Sequence, residues 1–245
     1  MKLPEVVSRH EWNAQRRALL ELEKGATHAR DVLNAARRAL PMVRLDKDYV
    51  FEGAEGRRSL LELFDGQHQL IVCHIMFHRE RGEACVGCSF AVDNLPHLAH
   101  IRARDTALVL VSRAPYPELA AFKARMGWNA PWYSSEGSDF NYDFHATTDE
   151  AVAPVEYNYR DKATLEQLRQ VYHVKGEQPG VSVFLRDAEA LYHTYSTYGR
   201  GLELMQTTYN YLDLTAFGRG EGWGGMPSVG ADGRNWLRHH DKYDE

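Results

Sequence analysis

The feature that most constrains this chain is the stretch 68–111, where a strand, a loop, a helix and a second strand are predicted in succession. Residues 70–77 form an apolar run, rich in β-branched side chains and short enough for a buried strand. A polar loop containing Gly82 follows, and the apolar positions after it are spaced as on a helix. Residues 106–111 again have the composition of a buried strand. Because such crossovers are right-handed, we predict that the two strands are parallel members of one sheet.

Two cysteines, Cys85 and Cys88, lie three residues apart where this helix is predicted to begin. A thiol at a helix N-terminus faces unpaired N–H groups and the positive end of the helix dipole, and both favour the thiolate. A second thiol one turn further along can attack a mixed disulfide formed at the first. We therefore predict that Cys85 is an exposed nucleophile and that Cys88 is the resolving thiol.

Three neighbouring residues are predicted to assist this chemistry. Arg79 and Arg81 lie in the loop before the helix, where a positive charge would lower the pKa of the first thiol further. Gly87 lies between the two cysteines and removes side-chain bulk where a substrate would approach.

The cysteine pair also has two other interpretations. It could be half of a zinc site, but structural zinc takes four ligands, commonly from a second cysteine pair or a histidine pair. The remaining cysteine, Cys73, lies inside the first predicted strand. A histidine, His74 or His78 near the pair or His239 or His240 at the end of the chain, could complete a Cys/His site. Two structural thiols are the remaining interpretation. From this ligand count, we predict no metal and no cofactor.

Composition limits the class of protein. The 245 residues suit one large domain with extensions, and a hydrophobic content of 44% is ample for a core. The net charge of −5 makes nucleic acid an unexpected partner. No apolar run approaches the length of a membrane span, and the charged N-terminus lacks the apolar core of a signal peptide. With three cysteines and no signal, the expected location is the reducing cytoplasm.

The whole chain, residues 1–245, is predicted to be a single domain. Its predicted parts are a helical N-terminal extension (1–41), a core (42–216) and an irregular C-terminal tail (217–245). Residues 7–39 have a helical pattern that begins with a capping box at Ser8 and Glu11, and Gly25 is expected to interrupt it. The glycine-rich tail is expected to lie over the body through Trp223 and Trp236.

Helices and strands are predicted to alternate through the core. The predictions are a strand or hairpin at 42–52, a helical turn at 59–64, a helix at 116–126, a strand at 131–134, a loop at 135–155, a short helix at 161–172, a hairpin of 181–186 with 190–196, and a helix at 201–212. In the loop, Phe140, Tyr142 and Phe144 are expected either to pack over the sheet or to line a pocket. In the last helix, Leu202, Leu204 and Met205 are expected to face inward. The fold class is α/β with a mixed or parallel central sheet.

The order of elements resembles the thioredoxin fold, in which a C-x-x-C helix follows the first strand and a proline precedes an antiparallel hairpin. The resemblance implies a three-layer fold with a central mixed sheet. In thioredoxins that proline is cis and lies beside the dithiol, where the backbone of a partner binds. On this chain the role falls to Pro179, whose peptide bond is a candidate for the cis isomer. Gln178 would then present its backbone to a substrate. Ala84 replaces the tryptophan that precedes the first thioredoxin cysteine.

Peroxiredoxins provide a second comparison. Their active loop places proline and threonine or serine ahead of the reactive cysteine. At the matching offsets from Cys85 this chain has His78 and Gly82, so the hydroxyl that orients a peroxide is missing there. Peroxide reduction by Cys85 is therefore the second functional hypothesis.

Over essentially its whole length, the chain is similar to a bacterial family of thioredoxin-like proteins catalogued as domain-of-unknown-function family 899. The stretches that carry this similarity include LLELFDGQHQLIVCHIMF, GSDFNYDF, PGVSVFLRD, YHTYSTYGRG and WLRHHDKY. The resemblance implies an oxidoreductase. We predict a cytoplasmic thiol–disulfide oxidoreductase that acts on a disulfide-containing protein or on a small thiol or peroxide. The terminal extensions suggest either a capped site or the arm of a homodimer. A metal-binding or interaction protein on the same scaffold is the third hypothesis.

Overall fold

The central strand of the fold is β4, Gln69–His74, which is buried along most of its length because helices cover both faces of the sheet. The computed structural model describes residues 3–188, 190–219 and 236–243. The other strands of the sheet are β1 Val43–Leu45, β2 Val50–Gly53, β3 Gly56–Ser59, β5 Thr106–Ser112, β6 Trp132–Ser134, β7 Gly180–Asp187 and β8 Ala190–Tyr198. Their spatial order is β1–β8–β7–β4–β5–β6–β2–β3.

The predicted β–α–β unit and the predicted hairpin form the centre of this sheet. β4 pairs with β5 in parallel, and β5 pairs with β6 in parallel. β7 pairs antiparallel with both β4 and β8. The fold is therefore α/β with a mixed central sheet, and its order is thioredoxin-like, as the sequence implied. Three further strand pairs are two residues long on each side: Phe77–His78 with Glu83–Ala84, Thr147–Thr148 with Gly176–Glu177, and Glu156–Tyr157 with Arg160–Asp161.

Helices cover both faces of the sheet and give the three layers. They are α1 Arg9–Arg38, α2 Leu60–Leu63, α3 Val86–Asp93, α4 Leu98–Arg102, α5 Tyr116–Arg125, α6 Phe140–Asp143, α7 Lys162–Gln167 and α8 Thr207–Leu212. Alternating side chains of the strands divide the core in two. On one face Cys73 and Leu110 pack with Cys88 of α3 and with Phe122 of α5. On the other face the strands pack against α2 and α6.

The N-terminal helix differs from its prediction because Gly25 does not interrupt it. α1 is continuous over 30 residues and begins with the predicted capping box of Ser8 and Glu11. One glycine costs a helix only about 1 kcal/mol relative to alanine, which good helix formers on either side offset. None of its residues is buried, so α1 is stabilised by helix propensity, by local ion pairs and by the contact of the Arg37 guanidinium with the ring of Tyr195.

Replacing Gly25 with alanine is expected to stabilise α1 by about 0.5–1 kcal/mol, because alanine loses less conformational entropy in a helix. A Cβ at position 25 meets no atom within 4 Å. The effect can be measured as slower amide hydrogen exchange in α1. The matched control is Gly66→Ala, which also has open space but a φ of +82°, so there alanine should destabilise the protein. Faster exchange in Gly25→Ala than in the wild type would contradict the expectation.

Strand pairing near the N-terminus corrects a second prediction. The stretch 42–52 was predicted as a strand or hairpin, but β1 and β2 do not pair with each other. β1 lies at one edge of the sheet against β8, and β2 pairs with β3 and β6 towards the other edge. The hairpin is formed instead by β2 and β3. Pairing between distant parts of the chain decided this arrangement, and local pattern carries no information about it.

Two predicted helices are each divided into two pieces. The helix after Cys85 ends at Asp93, and α4 follows only after Pro96, because proline in a helix interior removes a hydrogen bond and clashes with the preceding turn. The last predicted helix is a 3-10 helix, Gly199–Met205, followed by α8. Its exposed Leu204 does not face inward, whereas Leu202 and Met205 pack against the core.

Two aromatic residues of the loop predicted at 135–155, Phe140 and Phe144, pack over the sheet. Phe140 and Phe144 are buried among Tyr49, Phe51 and Phe184 in edge-on and tilted contacts. α7 is capped by Asp161, whose carboxylate accepts a hydrogen bond from the N–H of Thr164 (2.9 Å). In the tail, Trp236 contacts Phe90, while Trp223 lies outside the described residues. None of the helices described here is long and apolar enough to cross a membrane.

Candidate active site

Cys85 is the N-cap residue of α3, at the edge of the sheet where β4 and β5 end. The pairing of Phe77–His78 with Glu83–Ala84 turns the loop back so that it leads directly into the helix. The backbone N–H of Cys85 donates to the carbonyl of Met76 (2.9 Å), and the Cys85 carbonyl accepts from the N–H of Ser89 (2.8 Å). Both backbone groups of Cys85 are thus satisfied, and its side chain remains partly exposed at the helix N-terminus.

The pKa of the Cys85 thiol is lowered from its ordinary value of 9.0 to about 4. The largest cause is a hydrogen bond with the Cys88 thiol, and a hydrogen bond with His78 adds to it. The backbone N–H groups of Gly87 and Cys88 also favour the thiolate, as expected at a helix N-terminus. Partial burial acts in the opposite direction but is outweighed. Cys85 is therefore a thiolate at neutral pH.

Cys88 has the opposite electrostatic behaviour. Its side chain is buried, and its pKa is raised well above the ordinary value by the hydrogen bond with Cys85 and by burial. The N–H of Met76 donates to its sulfur (3.4 Å). Burial also raises the pKa of Cys73, to about 12. In the described structure all three cysteines are unpaired thiols, and only Cys85 combines partial exposure with a lowered pKa.

The basic residue at the thiolate is His78 and not a loop arginine. Its hydrogen bond with Cys85 raises the pKa of the imidazole, which favours a thiolate–imidazolium pair. Arg79 instead forms an ion pair with Glu136 (2.8 Å), and Arg81 lies 3.7 Å from Glu80 while lining the cavity at the thiolate. Sequence reasoning selected His78 only as a metal ligand or a peroxiredoxin offset. His78 reaches the thiolate because the short strand pair of Phe77–His78 with Glu83–Ala84 folds the loop back.

Pro179 and Gln178 lie differently with respect to the thiols. Pro179 lines the cavity beside Cys85, as predicted, but its peptide bond is trans, so the predicted cis isomer is wrong. Trans is the more stable isomer even before proline unless the surroundings require the other. Gln178 is buried away from the cavity lining: its N–H donates to the carbonyl of Ala146 (2.8 Å), and its side-chain amide bonds Thr148 and His173.

A cavity of about 410 Å³ opens at the two thiols. Gly87, Pro179 and Val181 line it, together with residues of the 3-10 helix and of α8. A Cβ added at Gly87 would meet the Cys85 sulfur at 3.9 Å, an ordinary contact distance. The predicted residues Cys85, Cys88, Gly87, Arg81 and Pro179 therefore converge on one cavity, whereas Arg79 and Gln178 are absent from its lining.

The C-terminal segment 236–243 also reaches this cavity. Leu237 and His239 line it, and the ring Nε2–H of His239 donates to the carbonyl of Ala84, the residue before Cys85 (3.0 Å). Arg125 of α5 holds the segment in place through Asp241 (2.8 Å) and pairs with Glu83 (2.6 Å). The contacts of His239 with Ala84 and of Asp241 with Arg125 join residues more than 100 positions apart, so only the folded chain brings them together.

A metal site at the cysteine pair would require further ligands close to the two sulfur atoms. Over residues 3–188, 190–219 and 236–243, no group of three or more His, Cys, Asp or Glu side chains is arranged to hold a metal ion. The Nε2 of His74 hydrogen-bonds Ser182 (2.9 Å), and its ring stacks on Phe140.

Comparisons with known proteins identify a family and a fold. The model of a family described as "Bacterial protein of unknown function (DUF899)" matches residues 1–243. No curated protein matches the sequence. Among solved structures, peroxiredoxin Q of Xylella fastidiosa is 10% identical, with 66% of this chain and 88% of that chain covered and a TM-score of 0.42.

Two further solved structures are similar at the same level. A protein from Bacteroides thetaiotaomicron that was determined as a candidate disulfide isomerase is 15% identical over 69% of this chain and 89% of that chain, with a TM-score of 0.40. The mitochondrial 2-Cys peroxiredoxin of Plasmodium falciparum is 10% identical over 74% and 96%, with a TM-score of 0.39. Structural similarities at this level give no information about activity. The activity is therefore inferred from the residues of the site.

Proposed function

We propose that this protein is a thiol–disulfide oxidoreductase with Cys85 as the nucleophile. The chain belongs to the DUF899 family of bacterial proteins of unknown function. The observation that carries the proposal is the opposite perturbation of two hydrogen-bonded thiols. The pKa of Cys85 is lowered to about 4, and that of Cys88 is raised. One sulfur is thus ionised and partly exposed, whereas the other is protonated and buried until the first has reacted.

The reaction then follows from these two states. The Cys85 thiolate attacks one sulfur of a disulfide, forming a mixed disulfide and releasing the other sulfur as a thiolate. Once Cys85 is no longer charged, the cause that raised the pKa of Cys88 most is removed, and Cys88 can ionise. Its thiolate attacks the Cys85 sulfur, releases the second substrate thiolate and leaves a Cys85–Cys88 disulfide. Two molecules of an external thiol, or one external dithiol, must reduce that disulfide to complete the cycle, and are themselves oxidised to a disulfide.

His78 is assigned a supporting role in this proposal. Its imidazole hydrogen-bonds the Cys85 thiolate and, when protonated, stabilises the negative charge. After Cys85 is consumed, the same imidazolium can give its proton to the departing thiolate, which makes that sulfur a better leaving group. Pro179 shapes the wall of the cavity beside the sulfur atoms.

The proposal is tested with a pair of matched variants. Cys88→Ser should accumulate a mixed disulfide at Cys85 when mixed with excess disulfide, because the resolving thiol is gone. Cys85→Ser should form none, since the remaining thiols, Cys73 and Cys88, are buried and not accessible to the disulfide. Intact-protein mass spectrometry measures the adduct. Equal adduct formation in the two variants, or formation in neither, would end the proposal.

One observation favours a second candidate, a peroxidase that uses the same thiolate. Attack on a peroxide produces a sulfenic acid at Cys85 and an alkoxide or hydroxide that needs a proton, and His78 is placed to give one. Peroxide consumption by the reduced protein, with sulfenic acid trapped at Cys85, would support this candidate. Reaction with disulfides alone would leave the oxidoreductase as the function.

A further inference from the structure

The walls of the cavity at Cys85 are mainly apolar. Apolar side chains from four parts of the chain surround it: Val86 and Phe90 of α3, Leu202 and Met205 of the 3-10 helix, Tyr209 of α8 and Leu237 of the C-terminal segment. A volume of about 410 Å³ lies at the small end of the usual range for small-molecule sites, about 300–1,000 Å³. The space suits a small molecule with an apolar chain.

The charged side chains of the cavity are largely engaged with other protein groups. Glu83 pairs with Arg125 (2.6 Å) and with Lys242 (3.4 Å), and His78 bonds the Cys85 thiolate. Arg81, which also lines the cavity, has a side chain that is 66% exposed and lies 3.7 Å from Glu80. A charged group on a substrate would lose its hydration among the apolar walls and find little compensation there.

The arrangement also disfavours an extended protein chain as the substrate. Pairing with such a chain would use backbone groups before Pro179, but the N–H of Gln178 already donates to the carbonyl of Ala146. The carbonyl of Pro179 accepts from the hydroxyl of Tyr157 (2.8 Å). Leu237 and His239 form a further wall on the side of Ala84.

Gln206 adds a polar residue to the lining of the cavity. Only 8% of it is exposed, and its Oε1 has no hydrogen-bond partner in the described part of the chain. A buried acceptor without a partner is unfavourable, and a donor on the ligand would satisfy it. A hydroxyl at the end of an apolar chain is the simplest group of this kind.

We infer that the substrate of Cys85 is a small, uncharged disulfide whose apolar chain occupies this cavity. The inference rests on the proposed function and adds the class of substrate. The Cys85 sulfur bonds the chain-bearing sulfur, and the other substrate sulfur leaves with the electron pair of the broken S–S bond. The chain stays in the cavity until Cys88 attacks Cys85 and releases it as a thiol, which takes up the proton that Cys88 lost.

The test uses alkyl 2-pyridyl disulfides, which share one leaving group and differ only in the alkyl chain. Reduced Cys88→Ser protein is mixed with the ethyl, butyl and hexyl compounds, and the release of pyridine-2-thione gives the rate constant. Full burial of one methylene is worth about 0.8 kcal/mol, or about fourfold. We expect about two- to fourfold faster reaction for each added methylene. A hexyl chain ending in a carboxylate should react at least about tenfold more slowly than hexyl itself.

Two matched substitutions test whether the dependence of the rate on chain length arises in the cavity. Leu202→Lys puts a charge in the wall and should remove most of the dependence on chain length. Leu204→Lys, in the same 3-10 helix but exposed, should leave that dependence intact. Gln206→Leu should slow a hydroxyl-terminated chain and not the methyl-terminated one. If Leu202→Lys does not fold, Met205→Lys is measured instead, and the ethyl compound checks that Cys85 still reacts.

The possible outcomes distinguish a failure of the proposed function from a failure of the inferred substrate class. If Cys85 reacts with none of the compounds, the proposed function fails. If it reacts with all of them at rates independent of chain length, or faster with the carboxylate, the oxidoreductase stands and the inferred substrate class is overturned. A rate with a protein disulfide such as insulin that equals the rate with the hexyl compound would also overturn it.

Discussion

Reduced Cys85 is expected to react with iodoacetamide at pH 5 about 30 to 100 times faster than an ordinary cysteine thiol. With a pKa of about 4, most of Cys85 is ionised at that pH, whereas a thiol of pKa 9.0 is only about 0.01% ionised. The resulting advantage of about 10⁴ is reduced because a less basic thiolate is a weaker nucleophile, by about 10² or slightly more for a Brønsted slope of 0.4–0.5. The ionised fraction therefore outweighs the lost nucleophilicity.

The pH profile of this alkylation is the measurement, and its midpoint should lie near 4. His78→Asn should move the midpoint upward, because it removes the cation whose hydrogen bond lowers the pKa of Cys85. Arg79→Ala is the comparison variant, since Arg79 pairs with Glu136, and it should move the midpoint much less. A wild-type midpoint near 8 or 9 would contradict the electrostatic description. A larger shift for Arg79→Ala than for His78→Asn would show that Arg79 lowers the pKa of Cys85, as predicted from the sequence.

The same shift links stability to pH. The pKa of Cys85 is lower in the folded protein than in the unfolded chain, so ionisation of Cys85 stabilises the fold. That contribution is fully present above about pH 9 and is lost as the pH falls through about 4. Cys85→Ser lacks it, so the difference in free energy of unfolding between the reduced wild type and this variant should shrink from pH 9 to pH 4.

Phe140→Ala is expected to lower the free energy of unfolding by about 3–5 kcal/mol, a large part of the 5–15 kcal/mol typical of a domain. The ring is fully buried and touches Tyr49, Phe51, Phe144 and Phe184 in a rigid aromatic cluster against the sheet. Alanine would leave a cavity there, because the strands and the neighbouring rings cannot all move in to fill it. Denaturant unfolding, followed by far-UV circular dichroism, gives the loss.

The control for this substitution is Tyr211→Ala, which removes an aromatic ring that is 74% exposed. Its effect should stay within about 0.5 kcal/mol. Since Phe140 lies on the face of the sheet opposite α3, the alkylation rate of Cys85 should be nearly unchanged in Phe140→Ala wherever that variant is folded. A loss below about 1 kcal/mol would show that the loop packs less closely than its contacts indicate.

Local pattern predicted the elements that surround the thiols. The apolar run at β4, the cysteine pair at the start of α3, the second strand β5 and the hairpin of β7 and β8 were all predicted near their observed positions. Each has a signal that depends on a few adjacent residues, such as period, turn chemistry or a cap. The position of Cys85 at a helix N-terminus follows from that local signal alone.

Predictions failed where a choice depended on distant parts of the chain. The edges to which β1 and β2 belong and the outward orientation of Leu204 are examples. In each case two local conformations are close in energy, and contacts across the fold select one of them.

By itself the sequence determined which sulfur lies at the mouth of a helix and which lies one turn behind it, because helix periodicity and capping act over a few residues. Only the tertiary structure decided what surrounds those sulfurs. The loop folds back to bring His78 to the thiolate, and the segment 236–243 and the 3-10 helix close an apolar cavity over it. The reason is physical: the pKa of a thiol and the solvation of its substrate depend on every group within a few ångströms, and folding brings those groups together from all along the chain.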